Sequence, residues 1–126
     1  MKIKRATPVL FVDQVEPTRD FFKRAGFAVT VEVPAGSAVG FALLERDAVQ
    51  VMVETRGNEN EPEALRERSR ESRRAVVFVE VDDLGALMEA MEGASVIVER
   101  HVTFYNSNEL TYEEPGGNLV TFAQFA

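Results

Sequence analysis

An α+β fold of two βαβββ modules is what this sequence predicts, and three observations carry the prediction. Apolar periodicities run strand, helix, strand, strand, strand, and the same order then occurs again. Val12-Asp13 leads into the first helical pattern as Val81-Asp82 leads into the second, an offset of about 70 residues, or close to half the chain. The chain ends on Glu113-Glu114-Pro115-Gly116-Gly117-Asn118 and the apolar run from Leu119 to Phe125, which reads as a turn closing a hairpin. Together these divide a single domain, 1–126, into a first module over 1–54, a polar connector over 55–74 and a second module over 75–126.

Residues 3–12 read as the first strand, with Val9-Leu10-Phe11-Val12 continuously apolar, as when both faces are covered. Pro8 points to an edge or a bulge there. Glu16-Pro17-Thr18-Arg19-Asp20 opens a helix, with proline where its missing N–H is harmless and acids in the first turn. Phe21, Phe22 and Ala25 give its inner side, and Gly26 stops it. The run from Phe27 to Val33 is β-branched, Pro34-Ala35-Gly36-Ser37 is a loop, and residues 39–44 and 48–53 form two strands about the charged turn Glu45-Arg46-Asp47. Between Thr55 and Arg74 the composition turns to Glu, Arg, Asn and Ser; i,i+3 pairs such as Glu63 with Arg66 support some helix, but no face can be buried. The second module restarts at residues 75–81. Asp82-Asp83 caps a helix with Leu84, Leu87, Met88 and Met91 inside and Gly93 at its end. Residues 95–99 form the next strand, and the closing hairpin adds two more.

Composition narrows the function. With 126 residues and 45% hydrophobic content the chain supports one well-packed domain. It has no cysteine, so disulfides, thiolate metal sites and cysteine nucleophiles are excluded. A net charge of −7, with no Lys or Arg cluster free of acidic neighbours, opposes nucleic acid and anionic membranes and favours a cationic ligand. No apolar run spans a bilayer and no apolar signal core follows Met1, so a cytoplasmic protein is expected. There is no Gly-x-Gly-x-x-Gly, no phosphate loop and no nucleophile elbow for any serine.

The βαβββ repetition and the acidic-Pro-Gly-Gly-Asn hairpin resemble the vicinal oxygen chelate superfamily, the group of glyoxalase I, bleomycin-resistance proteins, fosfomycin-modifying enzymes and extradiol dioxygenases. The resemblance covers essentially the whole chain. It implies an eight-stranded curled sheet, an incomplete barrel with helices outside and a ligand cavity on the concave side, and it implies a homodimer. Metal-dependent members place ligands on the first and last strand of each module; matching strands puts those positions at Thr7, Gln50, Val76 and Thr121. None is a histidine or a carboxylate, so no metal and no other cofactor is expected. A triad of two histidines and a carboxylate cannot come from one copy, because His101 is the single histidine.

Strand alternation from those positions gives the expected lining: Thr7, Phe11, Gln50 and Met52 from the first module, and Phe78, Glu80 and Thr121 from the second. His101 and Tyr105, with Glu109 on the following strand, are the remaining polar candidates. Two readings of the apolar members stand, a ligand-lined hollow or a filled core; Gln50 and Glu80 favour the hollow, since buried polar groups need partners. The function expected is metal-free binding of a small organic molecule, cationic or aromatic, of the antibiotic-sequestering type. The alternative is an enzyme of the glyoxalase and dioxygenase group, using unusual metal ligands or acid–base catalysis by His101.

Overall fold

Every residue from 1 to 126 is described in the computed structural model, in the order β1 (Val9–Val12), α1 (Val15–Arg24), β2 (Ala28–Ala35), β3 (Ala38–Arg46), β4 (Val49–Thr55), α2 (Glu63–Arg70), β5 (Val76–Glu80), α3 (Leu84–Ala90), β6 (Ser95–Val102), β7 (Ser107–Glu113) and β8 (Leu119–Phe125). The two βαβββ modules are present, and their eight strands divide into two four-stranded sheets with the same topology, β1-β4-β3-β2 and β5-β8-β7-β6. In each the first strand lies parallel to the fourth and all other pairs are antiparallel. Residues Met1–Ser72 and Arg73–Ala126 form two compact units.

In the first unit, period-two alternation sends Leu10, Val12, Ala42, Leu44, Val51 and Val53 to one face, where all are buried. Helix α1 packs on that side against β3 and β4. It turns Val15, Thr18, Phe21 and Phe22 inward, and the ring of Phe22 meets Phe21 and Phe27 edge-on at 5.3 and 5.5 Å. Gly26, at φ 101°, ends the helix where a side chain would be strained and would meet the Arg46 guanidinium. Strand β1 starts at Val9, six residues later than its sequence pattern suggests. Pro8 has no N–H to continue a ladder; its carbonyl accepts instead from Met52 N at 3.0 Å, and residues 1–6, charged at Lys2, Lys4 and Arg5, are exposed. Nor is β1 covered on both faces: Val9 is exposed and Phe11 half-buried.

Residues 55–72 belong to this first unit. Arg56 holds them, its Nε donating to Asp13 Oδ1 at 3.2 Å and its Nη1 to the Ser72 carbonyl and, at 3.1 Å, to Ser72 Oγ. Asn58 Nδ2 donates to Gly40 O at 3.2 Å and Gly57 N to Ser69 Oγ at 2.8 Å. Helix α2 buries only Ser69, as its lack of an apolar face requires.

In the second unit Asp83 caps α3 by accepting from Ala86 N at 2.9 Å, and the helix buries Leu84, Leu87 and the following Met91. It packs against β8. Leu110, Tyr112, Val120 and Phe122 are the buried alternate residues of β7 and β8. The β7–β8 turn is built on Glu114, whose carboxylate accepts from Gly116 N at 3.0 Å, Asn118 N at 2.8 Å and Asn118 Nδ2 at 3.1 Å. Asn118 Oδ1 in turn accepts from Ala75 N at 2.9 Å, just before β5. The acidic-Pro-Gly-Gly-Asn motif is therefore a clasp that ties the hairpin to the start of its own unit.

Candidate functional site

Each sheet has a second face, opposite its buried alternate residues. On the first, the register lays Val9, Met52 and Leu43 in one row across β1, β4 and β3, and Phe11, Glu54 and Phe41 in the next. Val31 and Val33 extend these rows onto β2. Phe11, Phe41, Leu43 and Met52 are all half-buried. A polar chain crosses the same face: Thr7 Oγ1 donates to Gln50 Oε1 at 3.0 Å, Gln50 Nε2 donates to Glu45 Oε2 at 2.8 Å, and Thr30 Oγ1 donates to Glu45 Oε1 at 2.7 Å. Those donors, Gln50 first and Thr30 second, hold the Glu45 carboxyl below its usual range. Four of the sequence-derived candidates, Thr7, Phe11, Gln50 and Met52, thus share one face.

The other five share the corresponding face of the second sheet. Phe78, Thr121 and Thr111 form one row, and Glu80, Ala123, Glu109 and His101 the next. Thr111 and Thr121 are buried and hydrogen-bonded to each other, Oγ1 to Oγ1 at 2.8 Å. Tyr105 lies in the β6–β7 turn and its hydroxyl donates to Glu109 Oε2 at 2.5 Å; that bond, more than burial, raises the phenol above its usual value. His101 is inside β6, which runs three residues beyond the Glu99 at which its sequence pattern ends; it is exposed, with Nδ1 3.0 Å from the Glu99 carbonyl. Phe78, Phe125, Tyr105 and Phe104 form a run of rings with centroids 6.4, 6.0 and 4.9 Å apart, the middle pair stacked. All four are exposed, Phe78 by 51% and Phe104 by 99%, which is costly for aromatic rings with nothing on them.

The residues at the metal positions that the resemblance implies do not fit a metal. Thr7 and Gln50 spend their polar atoms on each other and on Glu45, Thr121 is bonded to Thr111, and Val76 has no donor. No three His, Cys, Asp or Glu side chains come together anywhere in the chain in a way that could hold an ion.

Sequence reasoning missed Phe41, Phe125 and, above all, Glu54. The last was lost because β4 was expected to end at Val53, whereas it runs to Thr55; the alternation Gln50, Met52 would otherwise have continued to Glu54. Glu54 is only 5% exposed, and its Oε2 is buried without a hydrogen-bond partner. Burial first, and the neighbouring Glu61 carboxylate second, push its carboxyl up to about 7.

Comparison with known proteins places this geometry. The model of the Glyoxalase/Bleomycin resistance protein/Dioxygenase superfamily matches residues 2–122. No curated protein sequence matches the chain. Among solved structures, TioX from Micromonospora sp. ML1 superposes with a TM-score of 0.77 at 18% identity, over 98% of this chain and 99% of its own. An integron cassette protein from the mobile metagenome of V. cholerae gives 0.71 at 23% identity, over 100% and 98%. A bleomycin-binding protein in complex with bleomycin gives 0.69 at 14% identity, over 98% and 100%.

Proposed function

The chain belongs to the Glyoxalase/Bleomycin resistance protein/Dioxygenase superfamily, and from that membership we propose that it binds a small, partly aromatic, positively charged organic molecule on these second faces of its sheets. In this reading it holds no metal, acts as a cytoplasmic homodimer and serves in the manner of an antibiotic-sequestering protein. The observation that carries the proposal is the makeup of those faces: half-exposed rings and methionine beside a few placed polar groups, the usual lining of a small-molecule site. The net charge of −7 favours a cationic guest. A solved relative of the same fold was crystallised with bleomycin, which fits this class of ligand.

The test is a fluorescence titration with 1-naphthylmethanol, a neutral aromatic probe that is easily read in a chain without tryptophan. Saturable binding is expected, unchanged by EDTA and weakened at least about fivefold by Phe41→Ala or by Phe78→Ala with Phe125→Ala, since each ring removes roughly 1 kcal/mol or more of apolar contact. Absence of saturation by both this alcohol and its cationic counterpart 1-naphthylmethylamine, or affinity untouched by every one of these changes, would rule the reading out.

A second reading, acid–base catalysis, draws on the row that joins His101 to Glu109 and on the Tyr105 hydroxyl bonded to Glu109. It ranks behind binding because the His101 ring is exposed and its Nδ1 is engaged by the backbone. His101→Ala with binding kept and turnover lost would promote it.

A further inference from the structure

Glu54 is the one polar side chain of the first sheet whose position the fold does not account for. Its neighbours on the face, Thr7, Gln50 and Glu45, satisfy one another. Glu54 has none of this. It lies on an interior strand of the β1-β4-β3-β2 sheet, where an apolar residue would cost nothing, yet Oε2 is buried and lacks a partner. The residues in register on either side are Phe11 of β1 and Phe41 of β3, neither of them charged. The group that acts on it is Glu61, from the segment after β4: its charge repels the ionised Glu54 carboxylate, and a side-chain hydrogen bond between the two carboxyls favours the form in which Glu54 keeps its proton. Once Glu54 gives up that proton, two carboxylates and two flanking rings stand together with no cation among the groups that act on Glu54.

We infer that Glu54 anchors a positively charged amino group of a bound organic molecule, with Glu61 as the second carboxylate and Phe11 and Phe41 as aromatic walls. The inference rests on the reading that this face takes an organic guest, and it names the group by which the guest is held. An ammonium supplies the donors that the orphaned Oε2 lacks, replaces the repulsion from Glu61 with attraction, and is itself stabilised over ring faces. A hard divalent ion suits the place less well, since it takes six or more oxygens and no third acid is at hand.

The experiment compares 1-naphthylmethylamine with 1-naphthylmethanol, which share the ring and differ in the charge. At about pH 8.5 the amine should bind roughly tenfold more tightly than the alcohol, and the advantage should shrink toward about pH 6 as Glu54 keeps its proton. Glu54→Gln, nearly isosteric, should bring the ratio close to one and leave the alcohol's affinity within about twofold. The carboxyl carbon resonance of Glu54 should titrate at lower pH when the amine is saturating. Equal binding of amine and alcohol by the native chain, or a ratio that survives Glu54→Gln, overturns the anchor while leaving the broader reading intact. Failure of both the amine and the alcohol to bind overturns both. Displacement of the amine by equimolar Mn²⁺ gives the pair to a metal and likewise overturns it.

Discussion

Two buried glutamates show how differently one fold can provide for the same side chain. Glu114 receives three N–H donors; Glu54 receives none at Oε2 and a like charge beside it. The consequence for stability has a definite sign. Because the folded Glu54 carboxyl is raised to about 7, the folded state holds a proton that the unfolded chain releases near 4.5, so stability falls as pH rises between those values and levels off above. Over that window the loss from this group is on the order of 3 kcal/mol. Urea midpoints measured from pH 4.5 to pH 8 should therefore slope downward in the native chain, and Glu54→Gln should remove most of that slope. A slope unaffected by the substitution would mean that Glu54 is not the group responsible.

At the scale of elements, the closing hairpin was legible because its turn chemistry is local. Pro115, Gly116, Gly117 and Asn118 set the turn, with Gly117 at φ 95°, and alternation on both sides sets β7 and β8. What the sequence could not disclose was that the acidic residue of the motif acts through its side chain, and that Asn118 reaches Ala75, 43 residues away. Glu114→Ala leaves three N–H donors, two of them buried, without an acceptor, and a cost of about 3 kcal/mol is expected from urea unfolding; Glu114→Gln, which keeps one strong acceptor oxygen, should cost less. Equal losses for both would show that the clasp is packing and not hydrogen bonding. Strand ends were the illegible part. Pro8 withdrew the start of β1 to Val9, while β4 and β6 ran past their apolar residues to Thr55 and Val102 because main-chain pairing continues where the side chains turn polar. Those extensions carry Glu54 and His101, so errors of two or three residues fell on the chemistry. Which of Phe11, Phe41 and Glu54 would be neighbours needed the β1-β4-β3 order, which no local pattern contains.

For the whole molecule, the open question of assembly can be argued from strand edges. Both sheets end on a strand that is almost wholly exposed: β2, with Val31 and Val33 out, and β6, with Val96, Ile97, Val98 and Val102 out. Monomeric proteins blunt such edges with lysine, proline or short strands. Pro34 interrupts β2 near its end, and Arg100 and His101 sit in β6, but each strand, eight residues long, still presents several apolar side chains at a free edge. Covering by a second copy is the simplest remedy, since a two-fold interface buries the same edge twice. Sedimentation equilibrium should then report twice the 14.0 kDa chain mass at micromolar concentration. Val33→Lys with Val98→Lys, both at exposed positions, should give monomers with unchanged far-ultraviolet circular dichroism. If the native chain sediments as a monomer throughout, these edges stand open in solution. If the lysine variant remains a dimer, the copies meet elsewhere on the surface.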